Sequence, residues 1–325
     1  MHPAFSVIFL TTLIGAGQGF FLALYTGQLD SVFKLLPEQD PVHFYALGSL
    51  ITLVLLVAGL VASFFHLGRP ERAWRSAARW RTSWLSREVI ALPALMGSVA
   101  AWGLIHYLGW NPVLFSFSTG AEIDLSLLVG GVATLLCFAL FLCTGMIYAC
   151  IKMLQEWATP LTVVNYTLFG GASGFMLATA FAAWQGSGLV NFFGIWSIIL
   201  TVLVFLTRGA SLFRNARLKH KSTLETAIGI RHAGIQQKGQ GAMAGSFNTR
   251  HFFHGASPRK YKSVKWVFLL LVFPLPLLLV SAGLSAGSLG LLVAAFLVQY
   301  IGLLMERWFF FAQANHPQNL YYQTV

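Results

Sequence analysis

The sequence predicts an all-α polytopic membrane protein with eight transmembrane helices, and three observations carry that reading. Hydrophobic residues make up 57% of the 325-residue chain and charged residues only 10%, against roughly 25% charged in a soluble domain. Mean hydropathy is +0.70. Apolar runs of about 20 residues, the length that crosses a bilayer, recur along the whole chain, with basic residues gathered on alternate connections. In such a chain a net charge of +11 reflects the positive-inside rule rather than nucleic acid, so lipid and protein are the expected partners.

The runs cover 5–27, 43–66, 86–109, 124–151, 161–184, 189–207, 264–284 and 288–312,. Met1-His2-Pro3 lacks the positive n-region of a cleavable signal, so the first span is expected to remain. With the N-terminus in the cytoplasm, Lys34 is the only one of the 21 Lys and Arg on the outer side, while Asp30, Glu38, Asp40, Glu122 and Asp124 gather there. An N-in, C-in topology follows. Gly15 and Gly19 in the first span, and Gly170 and Gly174 in the fifth, form GxxxG steps that favour close helix contact,. Pro93, Pro274 and Pro276 are expected to kink or start helices.

The chain reads as one membrane domain, 1–325, whose largest hydropathy break, 208–263, is a basic cytoplasmic loop. Ser222-Thr223-Leu224-Glu225 fits a capping box, so a short helix is expected there. Beyond it, GQGAMAGSFNTRHFFHG mixes glycine, charge and Phe247, Phe252 and Phe253. A solvating tether has no need of such aromatics. Arg250, Phe252 and Phe253 are therefore expected to dock a soluble partner, with anionic lipid as the competing ligand.

Ionisable groups at mid-depth mark function in membrane proteins, and the sequence offers none. Every Asp, Glu and His is expected at a helix end or in a loop. No facing pair of mid-depth histidines is present for a b-type haem, so no haem is expected. Cys137, Cys143 and Cys150 include no CxxC pair and read as buried small hydrophobes,. A transporter, which needs midplane polarity or broken helices, is disfavoured on the same grounds.

Ionisable groups concentrate instead at one membrane edge, in FHLGRPERAWRSAARWRTSWLSRE, residues 65–88. His66 ends the second span. Pro70 suits the first turn of an interfacial helix, with Arg72, Arg75 and Arg79 on one face. Ser86, Arg87 and Glu88 open the third span, and the helix dipole favours Glu88 there. A quinone has an apolar tail and a polar head, and its reduction takes two electrons and two protons. An interfacial site with hydrogen-bond donors and a proton-exchanging group suits it, and His66 and Glu88 supply these. Arg69, Arg81 and Ser86 are the neighbouring candidates. Arg72, Arg75 and Arg79 are expected to dock an electron-transfer partner. Positive-inside anchoring is the competing reading of the whole cluster, and a cap or salt bridge that of Glu88.

The N-terminal MHPAFSVIFLTTLIGAGQG, the HLGRPERAWRSAARWRTSWLSREV segment and GSFNTRHFFHG resemble the DMSO reductase anchor subunit family (DmsC) over essentially the whole chain. The resemblance implies a bacterial inner-membrane subunit of a three-part complex. A molybdenum cofactor sits in a molybdopterin catalytic subunit, and [4Fe–4S] clusters sit in an iron–sulfur subunit. The anchor exchanges electrons with menaquinone or ubiquinone without haem. The family's quinol-site histidine and glutamate, in HLG and S-x-E patterns, fall on His66 and Glu88. The arginine-rich, cytoplasmic-facing junction resembles the anchors of membrane-bound sulfite dehydrogenases, which oxidise sulfite and reduce quinone. In DMSO reductases proper, which oxidise menaquinol, the catalytic subunits are exported. A purely structural anchor remains the alternative.

Overall fold

The computed structural model describes residues 2–116, 122–235, 254–317 and 319. The eight expected spans are present as long apolar helices. Helix α1 covers Phe5–Val32. The second span opens with a π-helical turn, Pro41–Ala46, and continues as α2, Leu47–Phe64. Then come α3 (Trp84–Leu108), α4 (Leu125–Ala149), α5 (Pro160–Trp184) and α6 (Val190–Ala216). A five-residue helix α7, Leu224–Ile228, lies in the basic connection. The seventh span is broken into α8 (Pro258–Val272) and α9 (Pro274–Ala286), and α10 covers Leu289–Ala312.

Local chemistry explains the element ends. Ser83 and Asp124 cap α3 and α4 by accepting from Ser86 N–H and Leu127 N–H, which satisfies otherwise orphaned donors. Pro274 has no N–H and stops α8, whereas Pro93 is absorbed within α3,. The capping box of α7 is formed by Thr223 and Thr226 rather than starting at Ser222, because it is Thr226 that bonds back to the Thr223 N–H. Helix also advances into both ends of the 208–263 segment, with α6 running on to Ala216 and α8 starting at Pro258. Arg250, Phe252 and Phe253 lie outside the described residues.

Helices α1 and α5 form the centre of the molecule. Their GxxxG steps meet face to face, and a methyl group added at Gly19 or Gly174 would collide with the opposing backbone. Only glycine permits that approach, which replaces side-chain interdigitation with close van der Waals packing. On one side α1 packs against α2 and α4, around Phe20, Phe21, Leu24, Leu56 and Trp102. On the other, α5 packs on α6 and α10, with α8 closing the group around Phe268, Val272 and Phe309. Outward-facing Leu135, Leu206, Leu278 and Ile301 are exposed in the isolated chain, as expected of a surface bathed in acyl chains.

At the end of the bundle holding Asp124, Trp102 donates to Gln28, Gln28 to Ser126, and Ser126 to the Asp124 carboxylate, at 2.9, 2.5 and 2.8 Å. This network ties α1, α3 and α4 together at the acidic end. A different network serves the basic end. Glu306, in α10, is fully buried between Arg208 of α6 at 2.8 Å and Arg307 at 2.6 Å. The expectation that every carboxylate lies at a helix end or in a loop is corrected here, since Glu306 is well inside α10. Arg208, assigned from the sequence to the loop, is likewise a buried member of α6.

Candidate functional site

The junction between α2 and α3 is built from short pieces. After Phe64 the chain turns through His66 and Gly68 and winds into a 3-10 helix, Pro70–Arg79. With three residues per turn, Arg72 and Arg75 stack in one row and Arg79 moves into the row of Ala73 and Ser76. The three arginines therefore do not share a single face, as α-helical winding had suggested. Ser86, buried near the start of α3, donates its hydroxyl to the Ser76 carbonyl. Arg87 donates to the carbonyls of Trp80 and Arg81 at 2.9 and 2.8 Å. These bonds hold the 3-10 helix against the mouth of α3.

Behind this turn lies a cavity of about 440 Å³, walled by α1, α2, the 3-10 helix and α3. Its walls are mainly apolar, with Leu10, Ile14, Leu60 and Leu92 among them, and His66, Arg69, Arg72, Ser76 and Glu88 supply the polarity. That volume and that mix of a greasy wall with a few convergent polar groups are typical of small-molecule sites. Two larger grooves on the flanks, one beside α1 and α4 and one beside α6 and α8, have almost wholly apolar walls.

His66, Arg69 and Glu88 are thus brought together from three consecutive segments. Arg81 is not in the cavity wall; its guanidinium lies 5.1 Å from the Trp80 ring. Ser86 acts on the wall indirectly, through Ser76. Arg72, Arg75 and Arg79 are all exposed, and Arg72, expected only to dock a partner, also lines the cavity and lies 3.7 Å from Glu71. One residue that sequence reasoning missed is Thr144 of α4, which donates to the Glu88 carboxylate at 2.5 Å. Nothing local marks it, because it is 56 residues from Glu88 in the chain. Although the His66 side chain is exposed in the isolated chain, its partial desolvation in the cavity wall lowers its pKa from the ordinary histidine value, since desolvation disfavours the charged imidazolium. It is therefore neutral at pH 7, able to donate from one ring nitrogen and accept at the other.

The fold and this junction define a class: a multi-pass anchor whose interfacial cavity adjoins an arginine-rich surface. Residues 1–322 match the family described as DMSO reductase anchor subunit (DmsC). The chain is 59% identical over 325 residues, the full length of both proteins, to the C subunit of the sulfite dehydrogenase of Allochromatium vinosum. The chain belongs to the DMSO reductase anchor subunit family. It is a multi-pass protein of the bacterial inner membrane, the anchor of a molybdopterin oxidoreductase complex. The molybdenum and iron–sulfur cofactors belong to its partner subunits.

Proposed function

We propose that the cavity behind Pro70–Arg79 is where this anchor exchanges electrons with a membrane quinone, menaquinone or ubiquinone, and that its complex is a sulfite dehydrogenase. One observation carries the site: His66 and Glu88, from separate segments, share one cavity with a mainly apolar wall. The residues fit such a group, because the mainly apolar wall suits a prenylated ring and a few polar side chains are there to meet its oxygens. A bound quinone supplies a carrier for two electrons and two protons. The chain's own residues do the rest. His66, neutral, offers an N–H to a ring oxygen. Glu88, steadied by Thr144, exchanges a proton at its carboxylate. Leu10, Ile14, Leu60 and Leu92 exclude water from the cavity.

The 59% identity to a polypeptide of a sulfite dehydrogenase supports sulfite oxidation in the catalytic partner, with quinone as the electron acceptor. The arginine-rich junction supports a cytoplasmic orientation of the basic end. There, exposed Arg75 and Arg79 face the iron–sulfur partner across a surface suited to electrostatic docking.

Glu88→Gln and His66→Ala test the reading in the assembled complex. Quinone-dependent turnover is expected to fall by about 100-fold, while the catalytic partner still reduces a soluble artificial acceptor. Unchanged quinone turnover in an intact complex removes the role assigned to these two residues.

A further inference from the structure

The quinone cavity is not the only space that Glu88 lines. On its far side is a small cavity of about 10 Å³, bounded by Glu88, Thr144, Thr11, Gln18 and Tyr166. Tyr166 also borders a second cavity of about 10 Å³, with Glu156, Arg208, Arg307, Asn165 and Ser211. Each is near the smallest volume that holds a water, and each is lined by polar groups. The second reaches the connection between α4 and α5 through Glu156. Glu156, in the connection between α4 and α5, lies 3.7 Å from His220, whose side chain is 27% exposed.

The polar groups around the second cavity exceed what packing requires. Two arginines, 2% and 3% exposed, share the single Glu306 carboxylate. Among the described residues, Arg208 Nη2, Arg307 Nη1 and Glu156 Oε2 are buried without a hydrogen-bond partner. A purely structural ion cluster would satisfy those groups, because each unmade bond costs about 1–3 kcal/mol. Their natural partner is water. The Arg307 guanidinium lies 4.2 Å from the Tyr166 ring centroid, and Tyr148 stacks on Tyr166 with ring centroids 5.5 Å apart. The phenol shared by the two cavities is thus held rigidly between them.

We infer that His220, Glu156, the water-sized cavity beside Arg208 and Arg307, Tyr166 and Thr144 form a proton path from the basic face of the bundle to Glu88, behind the quinone cavity. The inference rests on the quinone reading for its purpose but not for its geometry. A quinone head filling the cavity mouth would close Glu88 off from the membrane edge, and a rear path keeps it supplied. Reduction of a bound quinone would take two protons, one to each ring oxygen; each would leave by breaking the Glu88 O–H bond, and each time a proton passed through the Tyr166 hydroxyl and Thr144 would remake it. That proton is replaced at Glu156 from the aqueous face. The two electrons come from the iron–sulfur partner. Arg208 and Arg307 stay charged and act as positioning residues, orienting water by their free N–H groups.

The test uses the purified complex loaded with a short-chain quinone. The rate of hydrogen–deuterium exchange at the Glu88 carboxyl is followed by infrared difference spectroscopy, with Glu88→Gln identifying the band. Glu156→Gln and Tyr166→Phe are expected to slow that exchange about tenfold. They should also lower kcat for quinone by a similar factor, with KM for quinone and reduction of a soluble acceptor unchanged. Wild-type exchange rates in both variants would overturn the path even if Glu88→Gln abolishes quinone turnover. Conversely, slowed exchange alongside undiminished quinone turnover in Glu88→Gln keeps the path and removes the quinone reading. If Tyr166→Phe fails to assemble, Glu156→Gln and Thr144→Val decide by the same two readouts.

Discussion

At the scale of single residues, the decisive feature is how partial desolvation sets the charge of His66 in the cavity wall. His66 has a lowered pKa because desolvation disfavours its charged form,. An unperturbed histidine titrates near 6.5, so His66 is neutral above that value and gains its proton only below it. A quinone head placed against His66 would desolvate it further, so protonation and occupancy oppose each other. KM for quinone is therefore expected to be flat from about pH 6.5 to 8 and to rise as pH falls below about 6.5. His66→Gln should flatten that rise. A KM that does not rise at any acid pH at which the wild-type complex stays assembled contradicts the assignment. His66 and Glu88 were legible from the sequence because they interrupt apolar runs at the membrane edge. Thr144 was not, because a threonine within an apolar helix looks like packing until the fold sets its hydroxyl on a carboxylate.

Among the helices and turns, the α1–α5 contact and the 3-10 helix each make a distinct prediction. Gly19 and Gly174 sit where the two backbones touch, so Gly174→Leu must push α1 and α5 apart. Overpacking in a tight core costs about 1–3 kcal/mol, and a lower melting temperature of the detergent-solubilised chain is the expected readout. A melting temperature equal to the wild type's would show that the helices give way freely. The GxxxG spacing announced a close contact, but not that the two motifs are each other's partner. For the turn, neutralising Arg72, Arg75 and Arg79 together is expected to release much of the iron–sulfur and catalytic subunits from washed membranes, and the loss should deepen with salt. Full retention would leave these arginines to lipid or topology. The arginine count was plain in the sequence. That the winding is 3-10, and sets Arg72 but neither Arg75 nor Arg79 in the cavity wall, depends on how Ser86 and Arg87 clamp the turn.

Across the whole molecule, the Arg208–Glu306–Arg307 cluster holds α6 and α10 together beside the Tyr166 face of α5. Removing one partner of a buried ion pair leaves an uncompensated charge and costs about 3–5 kcal/mol. Glu306→Gln is accordingly expected to lower the accumulation of the assembled chain in membranes and its thermal stability far more than Glu122→Gln on the acidic side. Equal stability of the two variants would mean that the arginines are satisfied by water alone. The sequence reading passed over this cluster because its three members lie close to the basic ends of two apolar runs, where positive-inside charge is expected anyway.

The sequence by itself determined the eight spans, the sorting of charge between the two ends and the placing of a histidine and a glutamate near one edge. Each follows from the cost of placing polar groups in hydrocarbon, which acts on the chain locally and leaves its mark in composition and spacing. Only the tertiary structure decided that His66 and Glu88 share one cavity, that Thr144 bonds to the glutamate, and that Arg208 and Arg307 flank a buried carboxylate. Those arrangements arise where helices distant in the chain are pressed together, and the contacts that fix them have no periodicity along any one helix.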